Sequence, residues 1–73
     1  MKVEPNNMRR LMVGVPADDP KKVLDAKFRM AAVSYCYGYF ENIHYWSFPV
    51  ENRDLCMRIL TSIFPDVPIH RFN

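Results

Sequence analysis

Residues 53–64 constrain this chain more than any other stretch. Leu55, Ile59 and Ile63 recur every four residues, and so do Cys56, Leu60 and Phe64. Two adjacent rows at that spacing predict a helix with a broad apolar stripe. Asn52 stands where it can cap the first free amides, Asp54 and Arg58 have i,i+4 spacing, and Pro65 ends the helix at about Ile63. Such a stripe has to be covered, so the rest of the chain must supply an apolar surface.

The chain supplies it mostly as strands. Arg9 through Val15 is a short apolar run closed by Gly14 and Pro16 and predicts a strand. Ser34 to Phe40 and Ile43 to Phe48 are rich in β-formers on either side of Glu41-Asn42, which predicts a hairpin. Asn instead of Gly at the second turn position departs from the usual two-residue turn. Asp66 to Phe72 predicts a short extended tail, which Pro68 confines to a sheet edge. One more helix starts at Asp19-Pro20, with Asp19 as cap and Pro20 at the first helical position. Its apolar face is expected at Leu24, Phe28, Ala31 and Tyr35, with Lys21–Asp25 and Asp25–Arg29 as i,i+4 pairs. A strand from about Lys27 competes with it, since Lys27 and Arg29 alternate with Phe28 and Met30; Ala31-Ala32 favours the helix. Residues 1–7 are polar and are expected to form a loose N-terminal arm, with residues 8–73 as a single domain.

The order strand, helix, strand, strand, helix, strand predicts an α+β fold: a small, mostly antiparallel sheet with two helices packed on one face. At 73 residues and 49% hydrophobic, most apolar side chains are needed for the core. Two cores, or a cofactor domain beside a catalytic one, do not fit. With no apolar run long enough for a signal peptide or a bilayer span, the chain is expected in the cytoplasm. Its two cysteines are then expected as free thiols, not a disulfide.

Few constellations carry chemistry. Cys36, His44, Cys56 and His70 are the inventory of a zinc site without the close-spaced ligand pairs of one, so no metal or other cofactor is expected. A Cys36–His44 nucleophile pair would need an electropositive setting that this aromatic neighbourhood does not supply. Gly14 and Gly38 are the only glycines and build no phosphate loop. No enzyme is expected. A net charge of +2 falls short of the basic stripe of a duplex-DNA binder, so direct specific DNA binding is not expected.

Five Phe, four Tyr and one Trp remain, more than the core must hold. Tyr35, Tyr37 and Tyr39 share one face of their strand, opposite Cys36, Gly38 and Phe40, and Trp46 lies on the neighbouring strand. Exposed tyrosines on a sheet either stack bases or anchor a protein partner. No Lys or Arg occurs between Met30 and Asn52, which favours the protein partner. Arg9 and Arg10 add a possible contact to an acidic or main-chain surface. The candidate protein-binding residues are therefore Arg9, Arg10, Tyr35, Tyr37, Tyr39 and Trp46, with a tyrosine platform for single-stranded RNA or DNA as the alternative.

The whole chain resembles the small phage-encoded host-takeover regulators that bind bacterial RNA polymerase, of the type encoded by a Xanthomonas lytic phage. The likeness rests on length and character, with Met8 through Val15 and Phe64-Pro65-Asp66-Val67-Pro68-Ile69 part of it. It implies a non-enzymatic, monomeric regulator in the host bacterial cytoplasm. Such a protein contacts the polymerase β′ subunit at its N-terminal segment and the β flap. It inhibits initiation by favouring loss of the σ factor, and it can also promote antitermination.

Overall fold

The structure, a computed structural model, describes residues 10–72. Elements follow in the order β1 (Arg10–Val15), α1 (Pro20–Ala31), β2 (Cys36–Phe40), β3 (Ile43–Pro49), α2 (Arg53–Ile63) and β4 (His70–Phe72). The four strands form one antiparallel sheet in the spatial order β2-β3-β1-β4. This split β-α-β connectivity places the first and third strands at the centre. It is the expected α+β fold, with both helices against one face of the sheet.

Register decides which face that is. Val13 pairs with Trp46 and Leu11 with Phe48 across β1 and β3, and Tyr37 pairs with Trp46 across β2 and β3. Side chains alternate along a strand, so these residues share the helix side. The core there comprises Val13, Val15, Trp46 and Phe48 from the sheet, Val23, Ala26 and Met30 from α1, and Cys56, Leu60 and Ile63 from α2. Burying these side chains is the main favourable contribution to folding.

α1 starts as its sequence predicts. Asp19 Oδ1 accepts from the Lys21 and Lys22 amides at 3.1 and 3.3 Å, and Pro20 occupies the first turn. The expected core face is wrong, however. Val23, Ala26 and Met30 turn inward, while Leu24 and Phe28 are 54% and 73% exposed. Ala26 offers a small contact that lets α1 approach the sheet, whereas Phe28 would hold it off. The helix also stops short of Tyr35. Ser34 donates both its amide (2.9 Å) and its hydroxyl (2.6 Å) to Met30 O, which closes the last turn. Asp25–Arg29 forms at 3.1 Å. The Asp54 carboxylate faces Arg53 at 3.5 Å instead of Arg58.

α2 departs from expectation at its start. A short 3-10 turn, Val50–Asn52, precedes it, and Asn52 makes no side-chain cap. Asn52 Nδ2 donates instead to Val33 O at 2.9 Å, tying the start of α2 to the loop that follows α1. At the other end Phe64 leaves the helical region at φ −121, ψ 65, as a residue before proline must. The β2–β3 hairpin turns at Glu41 (φ 50) and Asn42 (φ 68). Two positive φ values define the primed turn whose twist suits a two-residue hairpin; Asn42 adopts this conformation readily, Glu41 less so. β4 sits at the edge, where Pro68 confines it.

Among the described residues no helix is long and apolar enough to cross a membrane. Both cysteines are free, Cys36 exposed and Cys56 buried.

Candidate partner-binding surface

The alternation that buries Trp46 assigns the opposite face to Arg10, Met12 and Gly14 of β1, Ile43, Tyr45 and Ser47 of β3, Cys36, Gly38 and Phe40 of β2, and His70 and Phe72 of β4. Among the described residues no helix covers this face. Phe40 is 64% exposed, and Met12 and Phe72 are each about 40% exposed. Met12, Cys36, Gly38, Phe40, Tyr45 and Phe72 line a shallow groove of about 580 Å³.

Two glycines shape the groove differently. A Cβ at Gly14 would meet Ile43 Cγ2 at 3.0 Å and the Phe72 and Tyr45 rings at 3.1 Å. Its absence lets those side chains close over β1, where the Tyr45 and Phe72 rings pack at 5.9 Å. At Gly38 a Cβ would meet nothing within 4 Å, so the β2 side of the groove is open. Arg10 borders the surface, its guanidinium 5.0 Å from the Tyr35 ring centre. Cation and ring attract through the ring's negative face.

The edge of the sheet at β2 is a second exposed feature. In a two-residue hairpin the residues flanking the turn exchange backbone hydrogen bonds, and every second pair does so thereafter. Phe40, Gly38 and Cys36 therefore bond to β3, and the backbone N–H and C=O groups of Tyr37 and Tyr39 point outward. Cys36–Phe40 contains no Pro and no charged residue, the usual protections of an edge strand.

The tyrosines expected to act together are divided by the structure. Tyr35 lies outside β2, its amide donating to Ser47 O at 2.7 Å, while Tyr39 shares the helix side with Tyr37, its ring 4.8 Å from His44; Tyr35 and Tyr39 are about half exposed, at 51% and 57%. Tyr37 lies half-buried on the helix side. Its ring is 5.2 Å from Trp46, its hydroxyl hydrogen bonds His44 Nδ1 at 2.7 Å, and Lys27 Nζ stands 4.7 Å over it. His44 Nε2 lies 3.1 Å from Ala17 O, which can only accept. Nε2 thus carries the proton in neutral His44, and the Tyr37 hydroxyl donates to Nδ1. Burial, and to a lesser degree Tyr39, pushes the Tyr37 pKa up. Trp46 is 1% exposed and belongs to the core, so it is removed from the contact set. Arg10 is exposed on the helix-free side, and Arg9 lies outside the described residues.

Cys36 and His44 sit on opposite faces of the sheet, and Cys36 Sγ contacts Ser47 Oγ at 3.2 Å. The sheet therefore separates the pair considered as a nucleophile and base. Cys56 Sγ points toward Val33 O at 3.8 Å, and burial pushes its thiol up to about 11. Among the described residues no group of three or more His, Cys, Asp or Glu side chains is placed to hold a metal ion.

The face missed in the sequence was legible there in principle. Val13 and Val15 alternate with Met12 and Gly14, and Trp46 and Phe48 alternate with Ser47. Pairing the more apolar sets turns the even positions of β3 inward, and Tyr37 follows across the hairpin. Phe40, Tyr45, Met12 and Phe72 then share the face that turns away from the helices. Compared with protein-family models, curated proteins and solved structures, the chain shows no significant match.

Proposed function

We propose that this protein is a non-enzymatic, phage-type regulator that binds host bacterial RNA polymerase. It would inhibit initiation by favouring σ displacement and would also act in antitermination. The observation that carries the docking part is the helix-free apolar face bordered by an unpaired edge strand. Exposed aromatic side chains supply anchors, and outward backbone groups can take an extended segment as an added strand. The polymerase as partner, with the β′ N-terminal segment and the β flap as its contacts, rests on the sequence resemblance. A chain this small does not outweigh the σ–core interface directly; it binds a surface that σ also needs and shifts the equilibrium by its differential affinity.

The test is capture of purified host core polymerase by the tagged protein, followed by competition with σ. Stable capture, release of σ and loss of promoter-dependent transcription support the proposal. Failure to bind core polymerase, or binding that leaves σ and initiation unaffected, rejects it.

A second reading is single-stranded RNA or DNA binding by the tyrosines. It is favoured by Arg10 and Lys27, which stand over the Tyr35 and Tyr37 rings although they are distant from them in sequence. Salt titration separates the two. Nucleic-acid affinity falls steeply with ionic strength, whereas an aromatic-anchored protein interface changes little.

A further inference from the structure

On the helix side of the sheet a cleft of about 640 Å³ lies between α1 and the β2–β3 hairpin. Ligand pockets run roughly 300–1,000 Å³. Pro20, Val23 and Leu24 form its aliphatic wall, and Tyr37, Tyr39 and His44 its aromatic one. The His44 ring lies 6.0 Å from Tyr37, inclined by 22°, and 4.8 Å from Tyr39. Hydrogen bonds already engage the polar atoms of all three rings. The Tyr37 hydroxyl donates to His44 Nδ1, His44 Nε2 donates to Ala17 O, and the Tyr39 hydroxyl donates to Asn42 Oδ1 at 3.0 Å. What the rings chiefly offer is π surface, held in place before a ligand arrives, so the cleft suits a flat aromatic body.

The two ends of the cleft carry opposite charge. Lys27 Nζ stands 4.7 Å over the Tyr37 ring at one end. Asp18 lines the other end, next to Ala17, whose carbonyl holds His44. Along α1, Lys27 is two turns beyond Pro20, roughly 10 Å further down the axis. The ion pairs among the described residues are Asp25–Arg29 and Arg53–Asp54, so neither Lys27 nor Asp18 takes part in one. Asn42 stands in the hairpin turn at the Asp18 end. Its Oδ1 is taken by Tyr39, which leaves Nδ2 to donate. The occupant therefore has an anion at one end, a hydrogen-bond donor beside an acceptor at the other, and an aromatic plane between. An aromatic amino acid does not match, because its ammonium adjoins its carboxylate and would meet Lys27.

We infer that this cleft binds a nucleoside monophosphate whose base bears an exocyclic amino group. The base lies on Tyr39 and His44, where stacking tolerates any planar base. Its amino group donates to the Asp18 carboxylate, Asn42 Nδ2 donates to a ring nitrogen, and the phosphate meets the Lys27 ammonium as a point charge. The inference does not depend on the polymerase proposal and is tested without polymerase.

Isothermal titration of the full chain with AMP, GMP, inosine monophosphate and adenosine reads the binding. AMP and GMP are expected to bind in the submillimolar range. Inosine monophosphate, which lacks the amino group, and adenosine, which lacks the phosphate, should each bind at least several-fold more weakly. Lys27→Ala should weaken AMP several-fold and leave adenosine unchanged, and Lys27→Arg should retain most of the affinity. Asp18→Ala should weaken AMP and leave inosine monophosphate unchanged. Lys27 and Asp18 are exposed, and Asp19 is the cap of α1, so these variants keep the fold. Amide NMR shifts on adding AMP should centre on Leu24, Tyr39, Asn42 and His44. No binding of AMP at millimolar concentration overturns the inference. Variants that bind AMP like wild type, or shifts centred on the open face of the sheet, overturn it as well. A short oligonucleotide that binds far more tightly than AMP overturns the single-nucleotide site in favour of strand binding.

Discussion

Tyr37 and Phe40 belong to one five-residue strand and differ by a hydroxyl, yet the sheet sends them to opposite faces. Truncating each to alanine should therefore have unequal costs. The Tyr37 ring packs on Trp46 at 5.2 Å, carries Lys27 over its face and donates to His44 at 2.7 Å. A fully buried aromatic truncation costs about 3–5 kcal/mol. Tyr37 is half-buried, which roughly halves that figure, and loss of its hydrogen bond adds about 1 kcal/mol. Tyr37→Ala should cost about 2–4 kcal/mol. A domain of this length has about 4–11 kcal/mol in total, so the loss is a large fraction and lowers Tm by roughly 10–30 °C. Phe40 is 64% exposed and its truncation should cost under about 1 kcal/mol. Urea denaturation followed by fluorescence of Trp46, the single tryptophan and a core residue, measures both. A Phe40→Ala loss equal to or larger than that of Tyr37→Ala would refute the assignment of faces. Binding should show the opposite order, with Phe40→Ala weakening polymerase capture while the protein stays folded.

Three further outcomes follow from particular contacts. Asp19→Ala removes the acceptor of two α1 amides and should cost about 1 kcal/mol in chemical denaturation, whereas Asp19→Asn should retain most of the cap. Gly14→Val would force atoms against Ile43, Tyr45 and Phe72 and should destabilise by about 1–3 kcal/mol, while Gly38→Ala should be neutral or slightly stabilising; thermal unfolding compares them. The Cys56 thiol, raised from 9.0 to about 11 by burial, stays neutral in the folded state while the unfolded chain begins to ionise. Stability from this group is complete below pH 9 and declines as pH rises toward 11, so Cys56→Ala should flatten that alkaline decline in denaturation curves recorded against wild type.

Local signals carried most of the architecture. The Asp19-Pro20 start, the Cys56, Leu60 and Phe64 row of α2, Pro65 and the two β-rich runs around Glu41-Asn42 each act over a few residues and appear where periodicity or turn chemistry requires; of the second α2 row Ile63 is buried, Ile59 partly so, and Leu55 is exposed. The apolar face of α1 was less legible because both Val23/Ala26/Met30 and Leu24/Phe28 have helical spacing. Approach of the helix to the sheet decides between them, and small Ala26 permits it. Asn52 illustrates a tertiary override, since the amide that local sequence offers to the helix start is drawn to Val33 O in a distant loop. The surface was the least legible part. Tyr37 and Tyr39 share a strand parity, but which parity faces the helices depends on the β1–β3 register, a long-range property, and Tyr35 falls outside β2. Arg10 and Lys27 likewise reach their tyrosines only through folding, so a gap in the linear charge pattern did not describe the charge around the rings.

Amide hydrogen exchange of this protein with and without host core polymerase tests the docking surface most directly. Cys36–Phe40 and the β1 and β4 segments beneath the groove should gain protection in the complex, while the exposed Leu24–Phe28 row of α1 should exchange at its free rate. Protection confined to the helices, with β2 unchanged, would contradict the assignment of the sheet's open side as the contact.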